Sequence, residues 1–469
     1  MANEIFDVVV VGSGPGGYVG AIRMAQLGLK TAIVEKDPTY GGTCLNVGCI
    51  PSKALLESSE HYAATQHELS QHGVEVANVK LNLKTMLERK NKIVSDLTGG
   101  IKFLFEKNKI TTFKGKGSLK STSEIEVTKE DGSKETLQAK NIVLATGSVP
   151  NSLPGIDYDQ KKIITSTEAL CLEKVPQKMI VIGAGAIGLE MGSVWSRLGA
   201  EVTVIEYTPQ IGGPSDAGIA KRFLQILKKQ GMNFVLEAKV TSAKVEGPLV
   251  KVVYENLKDG ASTELHADVV LVAAGRIPYS EGLGLESLGI EKNQRGFVTV
   301  DNHYRTKYSN IYAIGDLIPG PMLAHKAEEE GVAVAEILAG QYGHVNYETV
   351  PSVIYTWPEL ASVGATEEQL KSQGITYKVG SFPFSANGRA KALGATEGIV
   401  KILADKTTDR LLGIHIVGPR ASDLIAEAVI AMEFGGSAED LARSFHAHPT
   451  LSEVIREAAL NVDKRARQM

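Results

Sequence analysis

Short, fully apolar runs separated by glycine-rich turns set the rhythm of the chain. Phe6-Asp7-Val8-Val9-Val10-Val11 is a β-branched run too short for a helix, the pattern of a strand buried on both faces. It runs into Gly12-Ser13-Gly14-Pro15-Gly16-Gly17 and then a helical stretch to about Gly28. A second strand, Thr31-Ala32-Ile33-Val34, ends at Glu35. The same unit returns as Met179-Ile180-Val181-Ile182, then Gly183-Ala184-Gly185-Ala186-Ile187-Gly188, a helix to Gly199, and Val202-Thr203-Val204-Ile205-Glu206. Gly183 follows Gly12, and Glu206 follows Glu35, at one separation of 171 residues. Each copy closes on a small-residue turn, Ala145-Thr146-Gly147 and Ala273-Ala274-Gly275, at a separation of 128, so the first copy holds 43 residues that the second lacks. The surplus falls mainly between Tyr40 and about Asn108, where two long helical patterns follow Cys44 and Cys49. The pattern predicts an α/β protein built on two Rossmann-like dinucleotide-binding domains, one of them enlarged.

Beyond Arg276 the pattern changes. Residues 297–316 predict short strands ending in Ile311-Tyr312-Ala313-Ile314-Gly315-Asp316, followed by a helix from about Met322 to Leu338. From about Val350 the chain predicts strands at 352–355, 398–402 and 412–417, then helices at 421–434 and 452–463. That is an α+β domain with no phosphate loop of its own.

Composition narrows the function classes. Fifty basic side chains against 54 acidic ones leave a formal charge of −4, with no electrostatic footprint for nucleic acid or a membrane surface. No apolar run approaches the ~18 residues of a membrane span. The first residues, Met1 to Asp7, lack the character of a signal or transit peptide, so a cytoplasmic protein or the mature form of a mitochondrial one is expected. Glycine is abundant, 48 of 469 residues, with no collagen-like period. Three cysteines, at 44, 49 and 171, are too few for a disulfide scaffold.

Each glycine loop sits between a strand and a helix, with an acidic residue 23 positions after the first glycine. The glycines allow a tight turn, a close backbone approach to a pyrophosphate and tight helix–strand contact, while the helix N-terminus favours the anion. Glu35 and Glu206 stand where a carboxylate meets a ribose diol. Tyr207-Thr208-Pro209-Gln210 offers no arginine for a 2′-phosphate, which favours NAD over NADP. Cys44 and Cys49 are the sharpest local signal. In an ideal helix residues five apart have Cα atoms about 8.7 Å apart, whereas a disulfide needs less than ~7 Å. Gly48 and Pro51 mark where such a helix would be distorted, and a bridge across so small a ring is expected to be easily reduced. Two buried thiols are the alternative; no histidine stands nearby in sequence, and no metal site is expected. Cys171 reads as an inert core residue. His446-Ala447-His448-Pro449-Thr450-Leu451-Ser452-Glu453 opens the last helix and offers a base with a carboxylate to orient it, although periodicity leaves a structural role open for both histidines.

Gly41-Gly42-Thr43-Cys44-Leu45-Asn46-Val47-Gly48-Cys49-Ile50-Pro51-Ser52-Lys53, the two dinucleotide folds, Gly315-Asp316 and the His448-Pro449-Thr450 end together resemble the flavin disulfide reductases, over essentially the whole chain. The resemblance implies FAD on Gly12, Gly14, Gly17, Glu35, Lys36, Gly42, Thr43, Cys44, Lys53, Gly117, Thr146, Gly147 and Ser148, completed by Asp316, Met322, Leu323, Ala324 and His325. It implies NAD on Gly183, Gly185, Ala186, Ile187, Gly188, Glu190, Glu206, Val240 and Gly275, with Lys53 and Glu190 similar to the family's ion pair near the flavin. The division it implies is 1–148 for the first part of the FAD domain, 149–275 for the NAD domain, 276–347 for the rest of the FAD domain, and 348–469 for a dimerisation domain. Within the family the sequence is most similar to the branch that oxidises dihydrolipoamide on lipoyl domains of 2-oxo acid dehydrogenase complexes and of glycine cleavage. That branch implies Cys44 as the interchange sulfur, Cys49 as the sulfur nearer the flavin, His448 as the base, Glu453 as its orienting carboxylate and a homodimer in which the base crosses to the other subunit. It also implies docking on an acyltransferase core or on the glycine-cleavage carrier protein.

Other readings carry discriminating features. A glutathione-type reductase would carry arginines just after position 206, and none is present. A mercuric reductase would carry a further cysteine pair near the C-terminus, and no cysteine follows Cys171. A soluble transhydrogenase would not need both redox cysteines. A component acting mainly in complex assembly would survive loss of Cys44.

Overall fold

The structure, a computed structural model, describes residues 5–468. The chain divides into two compact units. One takes in the described residues up to Ala54, Leu87–Asn151 and Gly275–Val345; the other takes in Leu55–Met86, Ser152–Ala274 and the chain from Asn346 onward. Among the described residues no helix is long and apolar enough to cross a membrane.

A seven-stranded sheet forms the centre of the first unit. Ile5–Val11 pairs in parallel with Thr31–Glu35 on one side and Lys134–Leu144 on the other, and Thr111–Lys114 extends the sheet beyond Thr31–Glu35. Lys134–Leu144 changes partner along its length. Its first half pairs antiparallel with Glu124–Thr128, and its last three residues pair in parallel with Ile311–Ala313. The loops after Val11, Leu144 and Ala313 therefore leave the sheet at one edge, the carboxyl edge where open α/β sheets bind ligands. Val8, Val9 and Val10 are buried on both faces, as the uninterrupted valine run requires. Helices Pro15–Gln26 and Ala324–Leu338 cross at glycines: a Cβ at Gly16 would stand 2.8 Å from the Ala327 carbonyl oxygen, and one at Gly20 would stand 3.1 Å from the Gly331 Cα. The ascending order of these contacts makes the helices parallel, with both N-termini at the same end.

The second unit repeats the plan. Its parallel five-stranded sheet has the order Asn233–Val235, Glu201–Ile205, Lys178–Ile182, Val269–Val272, Ile163–Ile164. Helix Ala186–Arg197 begins and ends 171 residues after Pro15–Gln26. A three-stranded antiparallel meander, Ala238–Glu246, Leu249–Asn256 and Ser262–Ala267, follows in both copies; here Asp268 separates it from the parallel sheet, whereas Lys134–Leu144 runs through unbroken. The C-terminal part is a five-stranded antiparallel sheet with helices Ala421–Glu433, Ala438–Arg443 and Glu453–Asn461 packed on it. Asp216 caps helix Ala217–Lys229 and accepts from Lys401 Nζ of this sheet at 2.7 Å, tying the two folds together within the unit.

The two long helical patterns after the cysteines are Cys49–His67 and Leu83–Lys107. The strands expected over 297–316 reduce to Ile311–Ala313 and isolated bridges at Val298 and Arg305. Asp301 is the reason: its Oδ1 accepts from the His303 and Arg305 N–H groups, which closes a turn instead of continuing a ladder.

Candidate functional site

The two glycine loops are the same object built twice. Gly12 and Gly183 have φ of 102° and 105°, and a Cβ on them would stand 2.4 and 2.5 Å from the carbonyl oxygens of Ala145 and Ala273. A Cβ on Gly17 or Gly188 would strike the oxygen of Gly12 or Gly183 at 1.9 and 2.0 Å. These four glycines are demanded by the chain itself. Gly14 and Gly185 are not: a Cβ there would meet nothing within 4 Å. Each lies just before the first turn of a twelve-residue helix, so the space it leaves open faces N–H groups and the positive end of a helix dipole. A cradle the protein does not need for its own packing fits a dinucleotide pyrophosphate in both copies. Gly42 packs a further turn onto the first cradle, since a Cβ on it would stand 2.6 Å from the Gly14 Cα.

Glu35 and Glu206 also match. Glu35 Oε2 accepts from Ser13 N at 2.9 Å and Ser13 Oγ at 2.5 Å, and Oε1 accepts from Asp37 N at 2.8 Å. Glu206 Oε2 accepts from Ala184 N at 2.7 Å, and Oε1 accepts from Thr208 N and Oγ1 at 2.8 and 2.9 Å. Each carboxylate thus buttresses its own glycine loop and keeps about one of its roughly four lone-pair sites for a further donor. Sequence reasoning assigned these residues only the ribose.

Around the first loop, Thr146 Oγ1 donates to the Tyr279 oxygen at 2.7 Å, Gly147 turns at φ 71°, and Lys36 Nζ stands 4.6 Å from the Tyr279 ring centre. Gly117 lies flat on the sheet, where a Cβ would stand 2.9 Å from Val11 Cγ1. Met322 and Leu323 lead into helix Ala324–Leu338, which begins at Ala324 and His325. Asp316 Oδ2 accepts from Ser148 Oγ at 2.5 Å, and Arg276 fixes that serine through its Oγ at 2.7 Å and its carbonyl at 2.6 Å. In the second unit Ala186 and Ile187 open the helix after Gly185, Glu190 is buried and accepts from Tyr355 N at 3.1 Å, and Val240 stands at a register slip in the meander. Gly275, at φ 93°, falls in the first unit, as does Lys53.

Cys44 and Cys49 stand as neighbouring thiols, and Cys171, expected in the core, is exposed instead. Helix Gly42–Val47 stops at Gly48, whose backbone (φ −140°, ψ −115°) folds back over the preceding turn, and a new helix starts at Cys49. The distortion expected from Gly48 is therefore a full break. Pro51 falls in the first turn of the new helix, where its missing N–H costs nothing. The hydrogen bond that the Cys44 thiol donates to Cys49, then burial, pushes the Cys44 thiol up, with the charges of Cys49 and Glu328 adding to the effect and Lys53 opposing it. Cys49 instead begins a nineteen-residue helix, whose N-terminal dipole favours negative charge. Asn46, which sequence reasoning passed over, donates to the carbonyls of Tyr40 and Gly42 at 3.1 and 2.9 Å and locks the entry turn.

On the C-terminal segment two histidine–glutamate pairs lie two residues apart. His446 Nε2 meets Glu427 Oε1 at 2.5 Å with its side chain 5% exposed, and Glu427 is the main cause that raises its pKa, against burial. His448 is 73% exposed, and its Nδ1 meets Glu453 Oε1 at 3.1 Å. Glu453 is buried, which opposes ionisation, but the Thr450 N–H at 2.9 Å, His448 and Arg456 outweigh burial and hold its carboxyl below the ordinary value. An ionised carboxylate only accepts, so His448 Nδ1 must donate and Nε2 presents the lone pair outward. The structure separates a histidine whose ring is shut in against Glu427 from one that faces solvent beside Glu453. The thiols belong to the first unit and the histidine–glutamate pair to the second.

The family described as pyridine nucleotide-disulphide oxidoreductase matches residues 6–331, and its dimerisation domain matches residues 350–459. Dihydrolipoyl dehydrogenase 2, mitochondrial, of Arabidopsis thaliana is 55% identical over 454 residues, 97% of this chain and 90% of that protein. The mitochondrial dihydrolipoyl dehydrogenase of Schizosaccharomyces pombe is 53% identical over 98% of this chain and 90% of its own length. Among solved structures, LpdA from Mycobacterium tuberculosis matches with a TM-score of 0.88 at 27% identity, over 96% of this chain and 98% of that one.

Proposed function

The chain belongs to the pyridine nucleotide-disulphide oxidoreductases, and from that premise we propose that it is a dihydrolipoyl dehydrogenase that oxidises dihydrolipoamide to lipoamide and reduces NAD⁺. The observation that carries the proposal is the pair of thiols set side by side by the break at Gly48. Two relatives whose names state this activity span nearly the whole chain.

Residues 1–148 and 276–347 would hold FAD, with Gly14 at the pyrophosphate and Glu35 and Asp316 as acceptors. Residues 149–275 would hold NAD on the loop at Gly185, and residues 348–469 would form the dimer. FAD, when bound, would supply a two-electron acceptor for the protein dithiol and a hydride donor toward NAD⁺. In the oxidised protein Cys44 and Cys49 share a disulfide. His448 Nε2 takes the proton of one substrate thiol while Glu453 stabilises the imidazolium. The substrate thiolate attacks Cys44 Sγ, a mixed disulfide forms, and the Cys44–Cys49 bond breaks with Cys49 leaving as thiolate. The second substrate thiol attacks the substrate sulfur of the mixed disulfide, its proton passing to the departing Cys44 sulfur; lipoamide leaves, Cys44 ends as a thiol, Cys49 as a thiolate, and His448 keeps the first proton. One dithiol is oxidised and one protein disulfide reduced. The working unit in this reading is a homodimer, with the base serving each thiol pair drawn from the other subunit.

The partners would be lipoyl-bearing proteins of 2-oxo acid dehydrogenase complexes or of glycine cleavage. A cytoplasmic location is part of the same proposal, against relatives whose names place them in mitochondria; fractionation of the source cells tests it. NADH formation from the purified protein, dihydrolipoamide and NAD⁺, with NADP⁺ alongside, tests the activity. Turnover with NAD⁺ alone supports it. Flavin bleaching by NADH without dihydrolipoamide turnover would leave the family intact and overturn the substrate.

A further inference from the structure

Lys326 and Glu330 form an ion pair at 3.0 Å, one turn apart on helix Ala324–Leu338, and neither side chain is exposed at all. Burying two charges in one helix is a poor way to gain stability, because desolvation opposes the Coulomb attraction and apolar side chains of similar volume often serve as well. Such a pair is retained for what it holds. Both charges close on the same residue, one on each of its flanking peptide units: Lys326 Nζ donates to the Gly315 carbonyl at 3.0 Å, and Glu330 Oε2 accepts from the Gly315 N–H at 2.7 Å. Gly315 itself turns at φ 70°. A Cβ on Gly320 would stand 3.1 Å from Lys326 Cε, so the turn from Gly315 to Gly320 is shaped around the lysine stem and ammonium.

The residue this turn presents is Asp316. One of its oxygens is tied to Ser148, which Arg276 holds from two directions. We propose that Lys326 and Glu330 are positioning residues for FAD, clamping Gly315 so that the Asp316 carboxylate is held ready for the cofactor. The inference rests on the proposed flavoenzyme reading. The clamp acts on the backbone, with charge-assisted hydrogen bonds stronger than neutral ones, and so limits the Asp316 backbone where a side-chain contact alone would let it swing.

The test is a double-mutant cycle on FAD affinity, read by flavin fluorescence during reconstitution of the full-length apoprotein. The variants are Glu330→Gln, which keeps an acceptor for the Gly315 N–H but removes the charge, Asp316→Ala, and the two combined. Glu330→Gln alone is expected to raise the FAD Kd on the order of 10-fold, the scale of one charge-assisted hydrogen bond lost, and to leave the KM for dihydrolipoamide unchanged. In the Asp316→Ala background the same change is expected to shift the Kd less than about 2-fold, because its route to the cofactor is gone. Equal shifts in both backgrounds, or no shift in the first, would overturn the clamp. Lys326→Arg keeps the charge and should retain more affinity than Lys326→Met; if Glu330→Gln does not fold, that pair of lysine variants carries the cycle. A parent protein that takes up no flavin would overturn the flavoenzyme reading itself, a result separate from an additive cycle in a flavin-binding parent.

Discussion

Gly48 folds back so tightly that a Cβ on it would stand 2.8 Å from the Thr43 carbonyl oxygen and 3.3 Å from the Cys44 Cα. That contact returns Cys49 to the side of Cys44, although an unbroken helix would hold the pair about 8.7 Å apart. Gly48→Ala is therefore expected to separate the thiols. Dihydrolipoamide turnover should fall on the order of 100-fold, the scale of a displacement of about 1 Å at a reacting centre. Quantitative thiol labelling should find both cysteines accessible after air oxidation. A variant that still forms the bridge and turns over normally would remove Gly48 from the account.

Cys44→Ser should abolish dihydrolipoamide oxidation while leaving NADH oxidation by an artificial electron acceptor, because such an acceptor needs no protein dithiol and serine is close to cysteine in size. Loss of both activities together would show that the cysteine supports the fold as well as the chemistry.

The glycines of each loop divide by what they meet. Gly12→Ala and Gly183→Ala place a Cβ on carbonyl oxygens at 2.4 and 2.5 Å and are expected to cost roughly 1–3 kcal/mol from overpacking alone. Gly14→Ala and Gly185→Ala meet nothing within 4 Å and should change stability by less than about 0.5 kcal/mol. Their effect should fall on ligands: lost flavin for Gly14→Ala, a raised KM for NAD⁺ for Gly185→Ala. Thermal melting of the apoproteins, with flavin content and NAD⁺ kinetics, checks all four. A destabilised Gly14→Ala apoprotein would make that glycine structural.

The partly buried His446–Glu427 pair predicts a pH dependence of stability. The folded-state pKa of His446 is raised, chiefly by Glu427. Its contribution is therefore complete below the unfolded value of about 6.5 and declines as pH rises through the higher folded value. The melting-temperature difference between the parent and His446→Gln should be largest on the mildly acid side and shrink above neutrality. A difference that grows with pH would refute this sign.

Glu453→Gln should slow dihydrolipoamide oxidation more than His446→Gln does. A glutamine can offer its N–H₂ to His448 Nδ1, which would turn the proton to Nε2 and remove the outward lone pair. Steady-state kinetics of both variants compares them, and a Glu453→Gln enzyme as fast as the parent would dismiss the orienting role.

The doubled glycine loop was legible in the sequence down to individual positions. The left-handed turn at Gly12 and Gly183 and the close contacts at Gly17 and Gly188 are local backbone demands that consecutive residues answer. The spacing of Cys44 and Cys49 was legible as a conflict with an ideal helix, and Gly48 was visible as the place where that conflict is resolved. The strands expected over 297–316 shrink to Ile311–Ala313 because the Asx turn at Asp301 folds the chain back where a ladder would have to continue.

By itself, then, the sequence determined the two loops, the thiol pair and the strand–helix–strand order around each loop, all features encoded within short stretches of chain. Only the tertiary structure decided that Glu35 and Glu206 buttress their own loops, that His446 is enclosed while His448 faces out, and that a buried Lys326–Glu330 pair grips Gly315. The contact of Ser148 with both Arg276 and Asp316 joins positions more than a hundred residues apart. Burial and hydrogen-bond partnership at that range are set by how distant segments pack, and a linear pattern of residue types carries no record of which polar group will be shut away from water with which other.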